Sequence, residues 1–213
     1  MAISQLSLYN EALRLLGERS LLSLTEERVS RRVMDNIWND GIVNYCLEAG
    51  PWKFALRAVE IPKLDTVTPV FGYTYAFDKP ADWLRTAGIS GEETMQTPLL
   101  DYAEEVGYWF ANVNPLYARY VSNDANYGSL FSRWPPTFAK YVAAIMAFEA
   151  APTLAPEKAV IDRVYATITQ RLKLARSADA LGGPTSYLPT GSWTRARLGG
   201  NGNDRGNRGS LIG

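Results

Sequence analysis

Candidate catalytic acids fall into small groups along the chain: Asp35 with Asp40, Asp78 with Asp82, Asp101 with Glu104 and Glu105, and Asp162 alone. Paired carboxyls are what glycoside hydrolysis would use, and oxygen ligands are what magnesium would need. They matter because the sequence contains no histidine. That removes the Ser-His-Asp and Cys-His relays, the neutral-pH proton shuttle, and the commonest ligand of a catalytic zinc or copper. A hydrolytic pair must flank a cleft, with one carboxyl kept protonated by burial, and the spacing shows no such pairing. Asp35 and Asp40 fall on the polar side of a predicted helix, and the Asp101 group neighbours a turn. Both read as solvated surface. No catalytic residue, cofactor or metal ligand is expected. The single cysteine, Cys46, lies on an apolar stripe and reads as a buried small residue rather than a reactive thiol. It allows no internal disulfide, so stability does not depend on an oxidising compartment.

Two other features suggest binding. The 22 basic and 22 acidic residues cancel only in sum. Residues 182–213 hold four arginines (Arg195, Arg197, Arg205, Arg208) against Asp204, while the preceding 181 residues hold 18 basic and 21 acidic groups. The segment also holds nine of the 17 glycines, too little apolar surface to offset its ordering entropy, so it is expected to be a flexible arm until it binds something. Yet it carries Tyr187, Trp193 and Leu198, which a plain linker would not need. Its run from Gly200 to Gly206 lacks the strand, helix and lysine of a nucleotide-binding loop. Its arginines would suit either nucleic acid or an acidic protein groove. Tryptophans 38, 52, 83, 109 and 134 could form a sugar-stacking platform, but Trp38 sits on a helix stripe, and Trp52, Trp83 and Trp134 sit where helices meet a β-rich region. Sealing that seam is the better reading.

The elements that hold these residues follow from periodicity and breakers. Ser4 is placed to cap a helix over 4–16, with Gly17 to end it. Ser23-Leu24-Thr25-Glu26 reads as a capping box opening one long helix, with Val29, Val33, Ile37, Ile42 and Cys46 on one face, ended by Gly50-Pro51. Residues 52–136 are punctuated by Pro and Gly, with short strands expected near 56–61, 72–77, 84–90, 108–111 and 116–121, and a helical turn at 101–106. Helical pattern returns after Pro135-Pro136, with Ala139, Ala143, Ala147 and Ala150 in a narrow strip, and a last helix runs from near Pro156 to Gly182. The fold class expected is mainly α: a four-helix bundle, two helices before and two after a small β-rich insertion, with an extended C-terminal arm. The bundle would be residues 1–55 and 133–181, the insertion 56–132, and the arm 182–213. The longest apolar run, 141–148, is too short to span a membrane, and the N-terminus lacks a signal-peptide pattern, so neither membrane insertion nor export is expected.

Six segments in order resemble a known family. They are Ala12-Leu13-Arg14-Leu15-Leu16-Gly17; Pro51-Trp52-Lys53-Phe54-Ala55; Tyr73-Thr74-Tyr75-Ala76-Phe77-Asp78-Lys79-Pro80-Ala81-Asp82-Trp83-Leu84-Arg85; Leu116-Tyr117-Ala118-Arg119-Tyr120-Val121; an Ala-rich stretch at 138–151; and Ala175-Arg176-Ser177-Ala178-Asp179-Ala180. Over about residues 4–181 the chain resembles the head-to-tail adaptor, or connector, proteins of tailed bacteriophages, closest to the tail tubular protein A type of short-tailed phages. Departures fall at 88–98 and in the arm.

The resemblance implies a structural virion protein without catalysis, made in the host cytoplasm and located at the head–tail interface. Twelve copies would form a ring under the portal, joining it to a nozzle or other tail protein and extending the channel through which genomic DNA passes without sequence-specific binding. The family's C-terminal segment reaches into the portal, which makes Tyr187, Trp193, Arg195, Arg197, Leu198, Arg205 and Arg208 the expected portal-docking residues. Two alternatives remain beside it: a cell-wall-degrading virion enzyme using paired carboxylates, and a nucleic-acid binder using the Arg/Gly tail.

Overall fold

The first helix, α1 (Gln5–Leu16), is defined at both ends by its own side chains and backbone. The Ser4 hydroxyl accepts from the Ser7 amide and the Ser7 hydroxyl accepts from the Ser4 amide, a reciprocal cap. Gly17, at φ 79°, turns the chain left-handed and donates to the Arg14 carbonyl, as the sequence leads one to expect. These details come from a computed structural model, which describes residues 3–69 and 72–182.

The expected long second helix is two helices, α2 (Val29–Asn39) and α3 (Ile42–Glu48). Gly41 at φ 86° interrupts it, a conformation that costs glycine little and other residues more. Ser23 and Glu26 do not open α2, which begins at Val29 without a side-chain cap. Glu26 instead accepts from the Leu22 amide and Ser23 from the Thr25 amide, closing a loop of their own.

At the centre lies α4 (Pro136–Leu154), with Pro136 at the position where a missing amide costs nothing. Ala139, Ala143, Ala147 and Ala150 are buried along with Val142, Ile145 and Met146. Small side chains on several faces let α1, α2, α3 and the last helix, α5 (Lys158–Leu181), pack against it. No helix among the described residues is long and apolar enough to cross a membrane.

Between α3 and α4 the chain makes six strands: β1 (Leu56–Ile61), β2 (Tyr75–Asp78), β3 (Trp83–Ser90), β4 (Tyr102–Glu105), β5 (Tyr108–Ala111) and β6 (Leu116–Ser122). They form two antiparallel three-stranded sheets, ordered β1-β6-β3 and β2-β5-β4. Inward residues of both sheets, among them Ile61, Ile89 and Leu116 from one and Phe77 and Trp109 from the other, build a hydrophobic core separate from that of the helices. The other face of the first sheet joins the helical core through Leu56, Leu84 and Val121.

The expected four-helix bundle is therefore corrected. Five helices and two sheets make a mixed α/β fold, because the strand region buries enough apolar surface to form a core of its own. The helical turn expected at 101–106 is also corrected. It is β4, drawn into a two-residue hairpin with β5 in which Tyr102 faces Ala111 and Glu105 faces Tyr108. Gly107 at φ 84° supplies the turn.

An aromatic cluster around Phe138 lies within the helical core. Trp52 and Trp134 each meet the Phe138 ring edge-on with centroids 4.9 Å apart. Their indole N–H groups donate to the carbonyls of Cys46 (3.1 Å) and Gly128 (2.7 Å), so neither large side chain leaves a polar atom unpaired. Cys46 is fully buried, and burial pushes its thiol far up.

Candidate functional site

The candidate acids are spread over the fold: Asp40 shares an open groove with Glu149, and Glu104 and Glu105 line another. Asp35 pairs with Arg31 and accepts from the Tyr9 hydroxyl at 3.0 Å. Asp101 accepts from Tyr73 at 3.2 Å. Asp40, between α2 and α3, Asp78 on β2, Glu105 on β4 and Asp162 on α5 are exposed. Among the described residues no group of three or more Asp, Glu or Cys side chains is placed to hold a metal. Among the described residues Trp52, Trp109 and Trp134 are buried, Trp38 packs edge-on with Tyr9 and Phe131, and a lysine covers the face of Trp83, so these tryptophans are packing groups.

Asp82 is the exception that spacing did not reveal. Its carboxylate accepts from Arg57 Nη1 (2.9 Å), from the Tyr120 hydroxyl (3.0 Å) and from the Ser122 hydroxyl, while its carbonyl takes the Asn123 amide (3.0 Å). One side chain thus ties β1 and β6 to the turn that enters β3. Burial pushes the Asp82 carboxyl up, but the hydrogen bonds from Ser122, Arg57 and Tyr120 and the Arg57 charge outweigh it and hold it below the ordinary range. Burial and the Asp82 carboxylate push the Tyr120 phenol up, against a smaller opposing effect of Arg57.

Both carboxylate oxygens are occupied by protein donors, so Asp82 is a knot and not an acid or base. Asp82→Ala should cost about 2–3 kcal/mol in denaturant titration, since it strands two hydroxyls and a guanidinium. The sign of the pH effect follows from the lowered value. The carboxylate's contribution is complete above about pH 5 and is lost as acid carries the folded group through its own lowered pKa, so the gap between wild type and Asp82→Asn should begin to narrow near about pH 4 and close only at more acidic pH.

A second knot lies three residues earlier. Lys79 Nζ sits 3.9 Å from the Trp83 ring centroid, donates to Glu104 Oε1 (3.0 Å) and to the Glu105 carbonyl (2.8 Å), and its side chain is only 7% exposed. A desolvated cation over an indole is worth more than an exposed one. Here it fastens the β2–β3 connection to the β4–β5 hairpin.

A third set of contacts fixes the end of α5. The Lys53 ammonium donates to the carbonyls of Asp179 (2.6 Å) and Ala180 (2.9 Å), and the Lys53 amide donates to Asp179 Oδ1 (3.0 Å). Arg176 adds a bond to the Ala49 carbonyl at 2.6 Å. The last carbonyls of a helix lack partners and carry its negative dipole end, so a lysine there both satisfies and neutralises them.

No family model matches the chain, and no curated protein is found similar to it.

The expected portal-docking residues Tyr187, Trp193, Arg195, Arg197, Leu198, Arg205 and Arg208 lie outside the described residues. What the structure adds is the fixed end from which their segment departs. Sequence reasoning missed all three knots, because Asp82 bonds residues 25 to 40 positions away and Lys53 bonds residues 126 and 127 away.

Proposed function

We propose that the protein is a structural virion component of a tailed bacteriophage, an adaptor whose copies form a ring, twelvefold in the resembling family, between the portal and a nozzle or other tail protein. It works without catalysis or cofactor. Its C-terminal segment docks into the portal, and the body extends the channel for passing DNA. The observation that carries this reading is that segments of the resemblance which lie far apart in sequence bond to one another in the fold. Lys53 of the second segment clasps Asp179 and Ala180 of the last, 126 and 127 residues on, and Asp82 of the third binds Tyr120 of the fourth. Matching words that are joined by hydrogen bonds support a shared architecture more strongly than matching words alone.

The chemistry agrees. A body with more acidic than basic residues repels phosphate and suits a channel wall along which DNA slides. The arm's aromatic residues would act as anchors, and its arginines would meet polar or acidic portal groups, ordering as they bind. The test is electron microscopy of the full chain mixed with purified portal protein. Rings seated on portal are expected; a chain that stays dispersed, with portal density unchanged, would overturn the reading.

A further inference from the structure

On the body, an open groove of about 230 Å³ lies at the break between α2 and α3, lined by Ile37, Asp40, Ile42, Tyr45 and Glu149. Tyr45 is 62% exposed at its edge. Asp40, Glu149 and the nearby exposed Glu48 form no ion pair among the described residues. The groove is thus apolar at its floor and negative at its rim. An apolar floor would favour a partner that covers it, and the rim selects a positive one.

The same chain carries a surface of the opposite kind. Along its 24 residues α5 buries only Val164 and Ala175, and presents Lys158 and Lys173 as exposed groups, with Arg163 and Arg176 also exposed but bonded to the carbonyls of Leu15 and Ala49, against one exposed acid, Asp162. Both surfaces belong to helices that pack on α4: Glu149 lines the groove, while the preceding residue, Phe148, meets Tyr165 of α5 with ring centroids 5.9 Å apart and the planes inclined at 49°. Among the described residues no ion pair joins the two patches within a copy. They can meet between copies, and a contact of unlike patches is head-to-tail, the kind that closes into a ring.

We infer that the occupant of the α2–α3 groove is the outer face of α5 from a second copy of this chain, and that this contact is the ring interface. The inference rests on the ring reading above and assigns residues to it. The acid rim and the basic helix set the register, and Tyr45 and the aliphatic floor are covered.

Charge exchange tests it with the full chain. Asp40→Lys/Glu149→Lys and Lys158→Glu/Lys173→Glu alter exposed positions, and circular dichroism checks that each variant keeps the wild-type spectrum. Assembly is followed by analytical ultracentrifugation and microscopy, with and without portal. Wild type should assemble, each variant alone should lose assembly at least tenfold in the concentration required, and an equimolar mixture should recover it. Every contact in an alternating ring then again joins unlike charges. Variants that assemble as wild type does, or a mixture that fails to recover, overturn the interface while the ring stands. A wild-type chain that never assembles, even on portal, overturns both.

Discussion

Replacing Gly128 with alanine is expected to lower the melting temperature by on the order of 10 °C. The Gly128 amide donates to the Ser122 carbonyl at 3.1 Å, and its own carbonyl takes the Trp134 indole. A methyl group built on it would stand 2.2 Å from the Ser122 oxygen and 2.8 Å from Leu47 Cδ1. The first of these is backbone and cannot swing aside. Either the strand end at Ser122 or the Trp134 contact must shift, and overpacking of this kind costs about 3 kcal/mol, each kcal/mol being worth roughly 2–4 °C in a chain of this size. Gly17 is the internal control. Its φ is 79° with nothing within 4 Å of the added carbon, so Gly17→Ala should cost only about 1–2 kcal/mol, the left-handed strain alone. Thermal unfolding of both variants compares the two effects, and equal losses would contradict the argument.

Ending the chain after Leu181 is expected to abolish attachment to portal while the body keeps its spectrum and melting temperature. Each buried aromatic anchor in an interface contributes about 2 kcal/mol or more, so losing Tyr187 and Trp193 together with four arginines should weaken binding at least about a thousandfold. Trp193→Ala alone should weaken it about thirtyfold. The body should be indifferent, since its described cores draw on residues up to Ala175. Co-sedimentation of truncated and full chains with portal reads the first effect, and calorimetry the second. Undiminished attachment of the truncated chain would remove the arm from the mechanism.

What could be read from the sequence was what short range decides. Ser4 and Gly17 bound α1 because caps act over three or four residues. Strands β1 and β5 have the expected limits because prolines and glycines isolate them. The misreadings have the opposite cause. Asp101 to Val106 holds nothing that forbids a helical turn, and only its pairing with β5 makes it a strand. The apolar period runs unbroken through Asp40-Gly41 because α2 and α3 pack on the same helix, so periodicity could not report the break between them. The pairing of β1 with β6 joins residues about 60 apart, as Leu56 with Val121, and no local pattern announces it. The two-sheet core was hidden for that reason, and with it the knot at Asp82, whose partners come together only once those strands have paired.

The grip of Lys53 on α5 has a mechanical consequence. Tension applied to the chain beyond residue 182 reaches the body through the last turn of α5. An unsupported helix end yields to such tension by fraying one carbonyl at a time. Here three hydrogen bonds from Lys53 span that turn, a fourth from Arg176 holds the turn before it, and together they share the load with the α3–β1 junction. A helix that ends in this way can bear a pull and pass it on to the rest of the fold.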